Sequence, residues 1–319
     1  MRHIAKDLLL GLSVADAVGV PVEFQSRATL QAKPVIDMQG YGTYNQPPGT
    51  WSDDSSLAFC LADSLCKGYD LKDIAFKFIQ WGAAQIWTPH GRVFDIGRQT
   101  GESIDTLSYL FRKGRTNELT SLYTDNERAN GNGALMRILP LVLLTRQIKQ
   151  MTKKFQLIRE VSALTHGHIR SAIACLLYLR IAELLIEDMD KMDAYVQAKW
   201  EVMDFLVRQK IAKGEQELFS NLFIGNIAHL KMSEISSSGY VMHSIEASLW
   251  CLLNENSYEA IVLKAVNLGE DTDTTAAIAG GLAGLCYGSE QIPQNWVNQL
   301  VRKNDIFNLA AQLDKIYSS

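Results

Sequence analysis

Two clusters of carboxyl and hydroxyl side chains are the part of this 319-residue sequence best suited to chemistry. Residues 52–54 read Ser-Asp-Asp, residues 271–275 read Asp-Thr-Asp-Thr-Thr, and each cluster precedes an apolar helical stretch. A helix cap needs one such side chain and does not explain two neighbouring acids. Clustered carboxylates repel one another unless a cation neutralises them, and oxygen-only ligands suit Mg²⁺ or Mn²⁺. The clusters therefore predict a joint site for divalent cations.

Other interpretations of the second cluster fit the sequence less well. An EF-hand loop starting at Asp271 needs Gly at its sixth and Glu at its twelfth position, where this chain has Ala276 and Leu282. The D-x-D-x-T string is also typical of haloacid-dehalogenase-type phosphatases, but there it follows a buried strand near the start of the domain. Neither HExxH, a Cys/His set nor a G-x-S-x-G elbow occurs, which disfavours zinc and serine catalysis.

A glycine-rich loop and a histidine pair are weaker signals. Gly131, Asn132 and Gly133 precede an apolar stretch, and a loop leading into a helix N-terminus can bind an anion such as phosphate. An ordinary turn explains the same residues. His166 and His168 lie between two predicted helices, where a histidine is more often a cap or a hydrogen-bond partner than a metal ligand.

Most of the sequence that must position these residues shows helical periodicity, and the chain contains only seven prolines to interrupt helices. Residues 21–51 read as a long loop, with possible short strands in 34–44, and a kink is expected at Pro140. The pattern predicts one all-α domain over residues 1–319. The predicted helices are 3–19, 54–67, 71–82, 97–113, 134–146, 153–165, 169–187, 192–211, 216–231, 240–254, 257–268, 274–286 and 305–317.

Small residues recur every four positions on two of these helices. Gly11, Ala15 and Gly19 form one stripe, and Ala276, Gly280 and Gly284 form the other. Stripes of this kind let helix backbones approach closely, so the two helices are candidate partners. Their pairing would fix the acids that precede the second helix.

Composition and charge limit the partners and the cellular compartment to be expected. The net charge of −4 gives no sign of an extended nucleic-acid surface, and no apolar run is long enough to span a membrane. The N-terminus loosely resembles a signal peptide, but Asp7 interrupts it. The five cysteines, odd in number and without CxxC, are expected to be reduced core residues of a cytoplasmic protein. A monomer or weak oligomer is expected.

Seven ordered segments resemble the ADP-ribosylglycohydrolase family. They cover nearly the whole chain: residues 11–23 (GLSVADAVGVPVE), 49–55 (GTWSDDS), 94–97 (FDIG), 131–137 (GNGALMR), 165–168 (THGH), 238–241 (SGYV) and 269–276 (GEDTDTTA). The chain departs from the family pattern at Ala15, where Gly is usual, and at Ser52 and Ser55, where Thr is usual. Serine keeps the hydroxyl oxygen but loses the methyl group that restricts its rotamer.

The resemblance implies a single compact all-α domain of orthogonally packed helices, with a binuclear Mg²⁺ or Mn²⁺ centre. The residues on the family's ligand positions are Ser52, Asp53, Asp54, Asp271, Asp273 and Thr274. Asp273 is the expected bridge between the ions, and Asp54 is placed with the catalytic residues. Glu23 matches an acid that acts on the substrate or on water. Asp95 matches a proton-transfer group of the members that act on arginine, although it could merely cap the helix at 97–113.

The same resemblance implies a substrate and its contacts. The expected reaction cleaves the N-glycosidic bond between ADP-ribose and a protein arginine, with an ADP-ribosylated protein as partner and ADP-ribose as product. Gly131, Asn132 and Gly133 would take the diphosphate. Further contacts are expected from Met136, His166, Gly239 and Tyr240. Two alternatives remain open: hydrolysis of another linkage, such as ADP-ribosylserine or a small metabolite, and a catalytically silent relative that binds ADP-ribose.

Overall fold

Helices are the only extended regular elements in residues 2–317, which are the residues described by this computed structural model. The all-α prediction is confirmed. The helices are α1 Ile4–Gly19, α2 Arg27–Ala32, α3 Asp53–Leu65, α4 Leu71–Ala84, α5 Arg98–Arg112, α6 Val142–Thr145, α7 Met151–Ala163, α8 Ile169–Ile186, α9 Lys191–Arg208, α10 Lys213–Leu218, α11 Ser220–Phe223, α12 Val241–Asn254, α13 Tyr258–Val266, α14 Thr272–Tyr287, α15 Gln294–Gln299 and α16 Lys303–Tyr317.

The helical periodicity locates eleven of these helices to within three residues at each end. It did not predict α2 or α15, and two of the predicted helices are wrong. The helix predicted over 134–146, with a kink at Pro140, is wrong over its first half: turns lead to a short 3₁₀ segment, Leu139–Leu141, and then to α6. Pro140 lacks the N–H that an α-helix needs there. The helix predicted over 216–231 is also wrong, because that stretch divides into the end of α10, α11 and a 3₁₀ turn at Ile227–His229.

The long loop predicted over 21–51 contains more helix than expected and no strand. Ser26 caps α2 by accepting a hydrogen bond from the Thr29 N–H. A 3₁₀ turn covers Gly42–Tyr44, and an isolated bridge between Tyr41 and Gln46 is the only pairing in this stretch.

The two small-residue stripes meet, as predicted, and pair α1 with α14. A Cβ at Gly11 would lie 2.5 Å from the Gly280 carbonyl oxygen, and one at Gly280 would lie 2.3 Å from the Ala15 Cβ. The Thr272 hydroxyl donates to the Gly19 carbonyl at 2.8 Å and joins the end of α1 to the start of α14. This close contact fixes where the second acidic cluster begins.

The core is continuous from α1 to α16. Helix α8 is buried on nearly all sides, with only Ile169 and Arg180 partly exposed. All five cysteines are free thiols. None of the helices in the described part of the chain has the length and apolar character needed to cross a membrane.

Candidate metal centre and substrate cavity

Two helix starts deliver the acidic clusters to one place. Ser52 caps α3 by accepting a hydrogen bond from the Asp54 N–H, so Asp53 and Asp54 lie in the first turn of that helix. Asp271 precedes α14 but makes no side-chain capping bond. Capping therefore accounts for Ser52 and leaves Asp271 unexplained.

Direct hydrogen bonds join the two clusters. The Thr274 hydroxyl lies 3.1 and 3.2 Å from the two carboxylate oxygens of Asp54, across 220 residues of sequence. The Ser52 hydroxyl donates to Asp54 Oδ2 at 3.1 Å. The start of α3 and the start of α14 therefore form a single site.

Two carboxylate triads occur at this site, and they share Asp273. One triad is Asp16, Asp54 and Asp273, and the other is Glu23, Asp271 and Asp273. In each triad, one oxygen from every member lies within 4.8 Å of the others. Asp53 belongs to neither triad but lines the adjacent cavity.

The chemistry of this donor set fits hard divalent cations. Every donor is an oxygen, and buried atoms Glu23 Oε2 and Asp271 Oδ1 have no hydrogen-bond partner among the described residues. An unpaired buried carboxylate oxygen is costly unless a cation or a proton satisfies it. Mg²⁺ and Mn²⁺ prefer such oxygen ligands.

Burial and mutual repulsion disfavour ionisation of these acids. Burial, reinforced by the charge of Asp95, raises the pKa of Glu23 to about 9. Burial also raises the pKa of Asp95 to about 6, and it raises the pKa values of Asp54 and Asp273 well above their usual range. Neighbouring carboxylates add to each of these shifts, so positive charge is needed to ionise the whole cluster near neutral pH.

Asp16 is a site residue that the sequence reasoning missed. Its fully buried carboxylate accepts hydrogen bonds from the Ser52 N–H at 3.0 Å and the Ser55 N–H at 3.1 Å. It thereby holds the start of α3 against α1. The available signal is an acid in the last turn of α1, between Ala15 and Ala17, in the segment that also carries the small-residue stripe.

Tyr44 is a second residue that the sequence did not indicate. Its ring lies between Phe24, with ring centroids 6.4 Å apart, and Phe94, at 5.2 Å. Burial raises the pKa values of Glu23 and Asp95, and hydrogen bonding from the Tyr44 hydroxyl opposes both shifts. The Tyr44 hydroxyl therefore lies close to both acids.

Asp95 does not cap α5. The N-cap of that helix is Gly97, and no side chain makes a capping bond there. The carboxylate of Asp95 instead lies near Glu23 and Tyr44 and lines the cavity. The capping alternative for Asp95 is wrong.

A cavity of about 380 Å³ opens beside the carboxylates. The predicted site residues that line it are Glu23, Asp53, Asp95, Gly131, Asn132, Gly133, Met136, His166, Gly239, Asp271 and Thr274. The buried predicted ligands Ser52, Asp54 and Asp273 are not in the lining. Tyr240 is also outside the lining, although it forms a backbone bridge with Gly131.

The glycine loop is tied to the acidic centre. Asn132 Nδ2 donates to Asp271 Oδ2 at 2.7 Å, and the Asn132 N–H donates to the Gly239 carbonyl at 3.1 Å. The loop does not lead into a helix N-terminus, as the sequence suggested, because turns follow it as far as Arg137. Its capacity to bind an anion therefore depends on backbone N–H groups and side chains, without a helix dipole.

Two strained residues clamp the segment that carries Glu23 to the segment that carries Asp271. Phe24 has φ +66° and Glu270 has φ +62°, in the left-handed region that side-chain-bearing residues rarely adopt. The Phe24 N–H donates to the Glu270 carbonyl at 2.7 Å, and the Glu270 N–H donates to the Gln25 carbonyl at 2.7 Å. The clamp leaves the Phe24 side chain 69% exposed at the cavity.

Comparison with known proteins agrees with this fold. The family model described as ADP-ribosylglycohydrolase matches residues 2–318. ADP-ribosylarginine hydrolase Tri1 of Serratia proteamaculans is 33% identical over 312 residues, which are 97% of this chain and 78% of the relative. ADP-ribosyl-[dinitrogen reductase] glycohydrolase of Rhodospirillum rubrum is 29% identical over 298 residues, with 92% and 89% covered.

A solved structure gives the same result. An ADP-ribosylglycohydrolase-related protein complex superposes with a TM-score of 0.75 at 26% identity, covering 99% of both chains. The chain belongs to the ADP-ribosylglycohydrolase family. Its class is therefore that of the glycosyl hydrolases that act on ADP-ribosyl bonds.

Proposed function

We propose that this chain hydrolyses the N-glycosidic bond between ADP-ribose and a protein arginine, using two divalent cations, Mg²⁺ or Mn²⁺. The observation that carries the proposal is the pair of carboxylate triads sharing Asp273 beside a cavity that also contains Asp95. The names of the Serratia and Rhodospirillum relatives support the same reaction class.

The cations would be held by oxygens from both helix starts. Asp273 is the proposed bridge, because it is the member common to both triads. The other proposed ligands are Ser52, Asp53, Asp54, Asp271 and Thr274. Bound there, the cations would polarise substrate oxygens and lower the pKa of water.

Glu23 and Asp95 are the proposed proton-transfer groups. Burial raises the pKa of Asp95, which favours the protonated form that a proton donor needs. Asp95 gives a proton to the guanidine nitrogen as the carbon–nitrogen bond breaks. The oxygen of water bonds to the anomeric carbon, and Glu23 accepts the proton that this water loses. Cationic charge at the triads favours the ionised form of Glu23 that this role requires.

The rest of the cavity supports binding of the ADP-ribose moiety. Backbone N–H groups of Gly131 and Gly133, together with the anchored Asn132, are proposed to receive the diphosphate. Met136, His166 and Gly239 line the same cavity. Tyr240 pairs with Gly131 through an isolated backbone bridge. These contacts would place the distal ribose at the carboxylate end.

Peptides carrying ADP-ribose on arginine or on serine test the proposal. Released ADP-ribose is measured by chromatography, with Mg²⁺ or after removal of metal by a chelator. We expect rapid release from arginine only, and only with Mg²⁺ or Mn²⁺ present. Equal rates on the two linkages would remove the arginine assignment, and full activity in a verified metal-free preparation would remove the metal assignment.

A further inference from the structure

Arg137 is a fully buried cation without a carboxylate partner in the described part of the chain. Its guanidinium carbon lies 4.5 Å from the centre of the Phe78 ring, and its Nε and Nη1 atoms have no hydrogen-bond partner there. Nη2 donates to the Thr165 hydroxyl at 2.8 Å and to the Val161 carbonyl at 3.1 Å. Burying an unpaired charge is costly, so this placement calls for a reason beyond packing.

The hydrogen bond to Thr165 continues to His166. Thr165 Oγ1 lies 3.0 Å from His166 Nδ1. Because a guanidinium only donates, the Thr165 oxygen accepts from Arg137, and its single hydrogen needs an acceptor. Thr165 is 3% exposed, and Nδ1 is the one acceptor that its hydroxyl reaches among the described residues. This order of donors assigns the hydrogen of the neutral imidazole to Nε2.

The other edge of the imidazole faces the glycine loop. A Cβ at Gly131 would lie 3.1 Å from His166 Nε2, and one at Gly133 would lie 2.6 Å from its Cε1. His166 is 3% exposed and lines the cavity, and Nε2 makes no hydrogen bond to any described residue. An N–H group without a hydrogen-bond partner among the described residues therefore faces the cavity beside the loop.

We propose that Arg137 and Thr165 are positioning residues that hold His166 as the Nε2–H tautomer, so that it donates a hydrogen bond to an anionic oxygen in the glycine loop. This proposal rests on the proposed function, which makes that anion the diphosphate of ADP-ribose. A neutral imidazole has only one donor, so the tautomer decides whether this edge of the ring attracts or repels the anion.

The charge of Arg137 also suits this role. Burial, reinforced by the nearby guanidinium, lowers the pKa of His166 to about 3. The ring therefore stays neutral, and its single proton stays on the side away from Arg137. Arg137 does not line the cavity, but its hydrogen bond to Thr165 lets it act on His166, which does.

Nitrogen-15 spectra of the full-length protein labelled at histidine test the tautomer directly, with Mg²⁺ and without nucleotide. We expect a protonated Nε2 and an unprotonated Nδ1 for His166. We also expect the Nε2–H resonance to shift when ADP-ribose or inorganic pyrophosphate is added. A protonated Nδ1 in the free protein would overturn the proposal, whether or not any ADP-ribosyl bond is hydrolysed.

A matched pair of variants tests the positioning role. Thr165→Val removes the hydroxyl and keeps the shape, whereas Thr165→Ser keeps the hydroxyl. By calorimetric titration, we expect Thr165→Val to lower affinity for ADP-ribose about tenfold and Thr165→Ser to retain it, with Mg²⁺ affinity the same in both. Equal affinity of the two variants for ADP-ribose would overturn the role of Thr165. Absence of ADP-ribose binding in the unmodified protein would instead count against the proposed function.

Discussion

Asp273 differs from the other acids of the candidate centre because both triads include it, whereas Asp54 belongs to one. Replacing Asp273 with Asn removes charge from both proposed cation positions. We expect both variants to bind Mn²⁺ more weakly than the unmodified protein. The loss of affinity should be about tenfold larger for Asp273→Asn than for Asp54→Asn. Calorimetric titration with Mn²⁺ measures both variants, and equal affinities would show that Asp273 does not bridge.

Asp95 can be tested separately from the structure around it. Because Gly97 is the N-cap of α5, Asp95→Asn removes no helix cap and should not lower the melting temperature. Loss of a proton-transfer group should lower kcat on the arginine linkage by roughly 10²–10⁴. Asp105→Asn, an exposed change on α5, is the matched control and should leave kcat unaltered. An Asp95→Asn enzyme with normal kcat would show that Asp95 is not a proton-transfer group.

At the residue scale, chemical type and spacing predicted the acidic clusters but not all of their neighbours. Asp54 and Asp271 are recognisable because acids stand together in sequence where one cap would suffice. Asp16 and Tyr44 approach the centre only through the fold, the first from inside α1 and the second from a 3₁₀ turn. Neither has a neighbour in sequence that signals its role.

At the scale of elements, the contact between α1 and α14 should be intolerant of added volume. Gly280→Ala places a Cβ 2.5 Å from the Gly11 carbonyl oxygen and 2.3 Å from the Ala15 Cβ. We expect a loss of about 1–3 kcal/mol in the free energy of unfolding, since a packed core accommodates extra carbon poorly. Mn²⁺ affinity should fall as well, because the first turn of α14 carries Asp273.

Urea denaturation measures this effect, and Gly214→Ala in α10 is the control. A Cβ at Gly214 meets nothing within 4 Å, so alanine should raise stability by up to about 1 kcal/mol through helix propensity. If the two variants were equally stable, the small-residue stripe would not be what holds α14 in place.

Periodicity predicted long helices such as α8 well, because a continuous apolar pattern has few alternatives. It failed over 134–146, where the pattern is apolar but the chain turns through Arg137 to bring Asn132 and Met136 to the cavity. Over 216–231 the chain forms several short helical turns instead of one helix, and these turns bury its apolar side chains. In both places tertiary contacts override a local pattern.

At the scale of the whole molecule, the acidic centre should link stability to pH. Burial raises the pKa values of Asp16 and Asp95 to about 6 and that of Glu23 to about 9, from ordinary values of 3.8, 3.8 and 4.5. Between about pH 4 and pH 9 the folded state therefore holds more protons than the unfolded state, and the metal-free protein loses stability as pH rises.

Added Mg²⁺ should reverse that trend, because cations favour the ionised carboxylates. We expect Mg²⁺ to raise the melting temperature more at about pH 8 than at about pH 5. Scanning calorimetry with chelator or Mg²⁺ measures the difference. The Asp273→Asn variant, with one repelling charge fewer, should show a shallower pH slope. A chelated protein that melts higher at the alkaline pH would contradict the prediction.

The pairing of α1 with α14 also has a consequence for how the protein is made. The two residues joined at their ends, Gly19 and Thr272, are 253 positions apart. At about 5–20 residues per second, a ribosome needs roughly ten seconds to one minute to make that intervening chain. During this interval the face of α1 that packs against α14 has no helix to cover it, which leaves apolar surface open to aggregation. The carboxylates that would hold metal come together only afterwards, which makes cation uptake an event that follows synthesis of almost the whole chain.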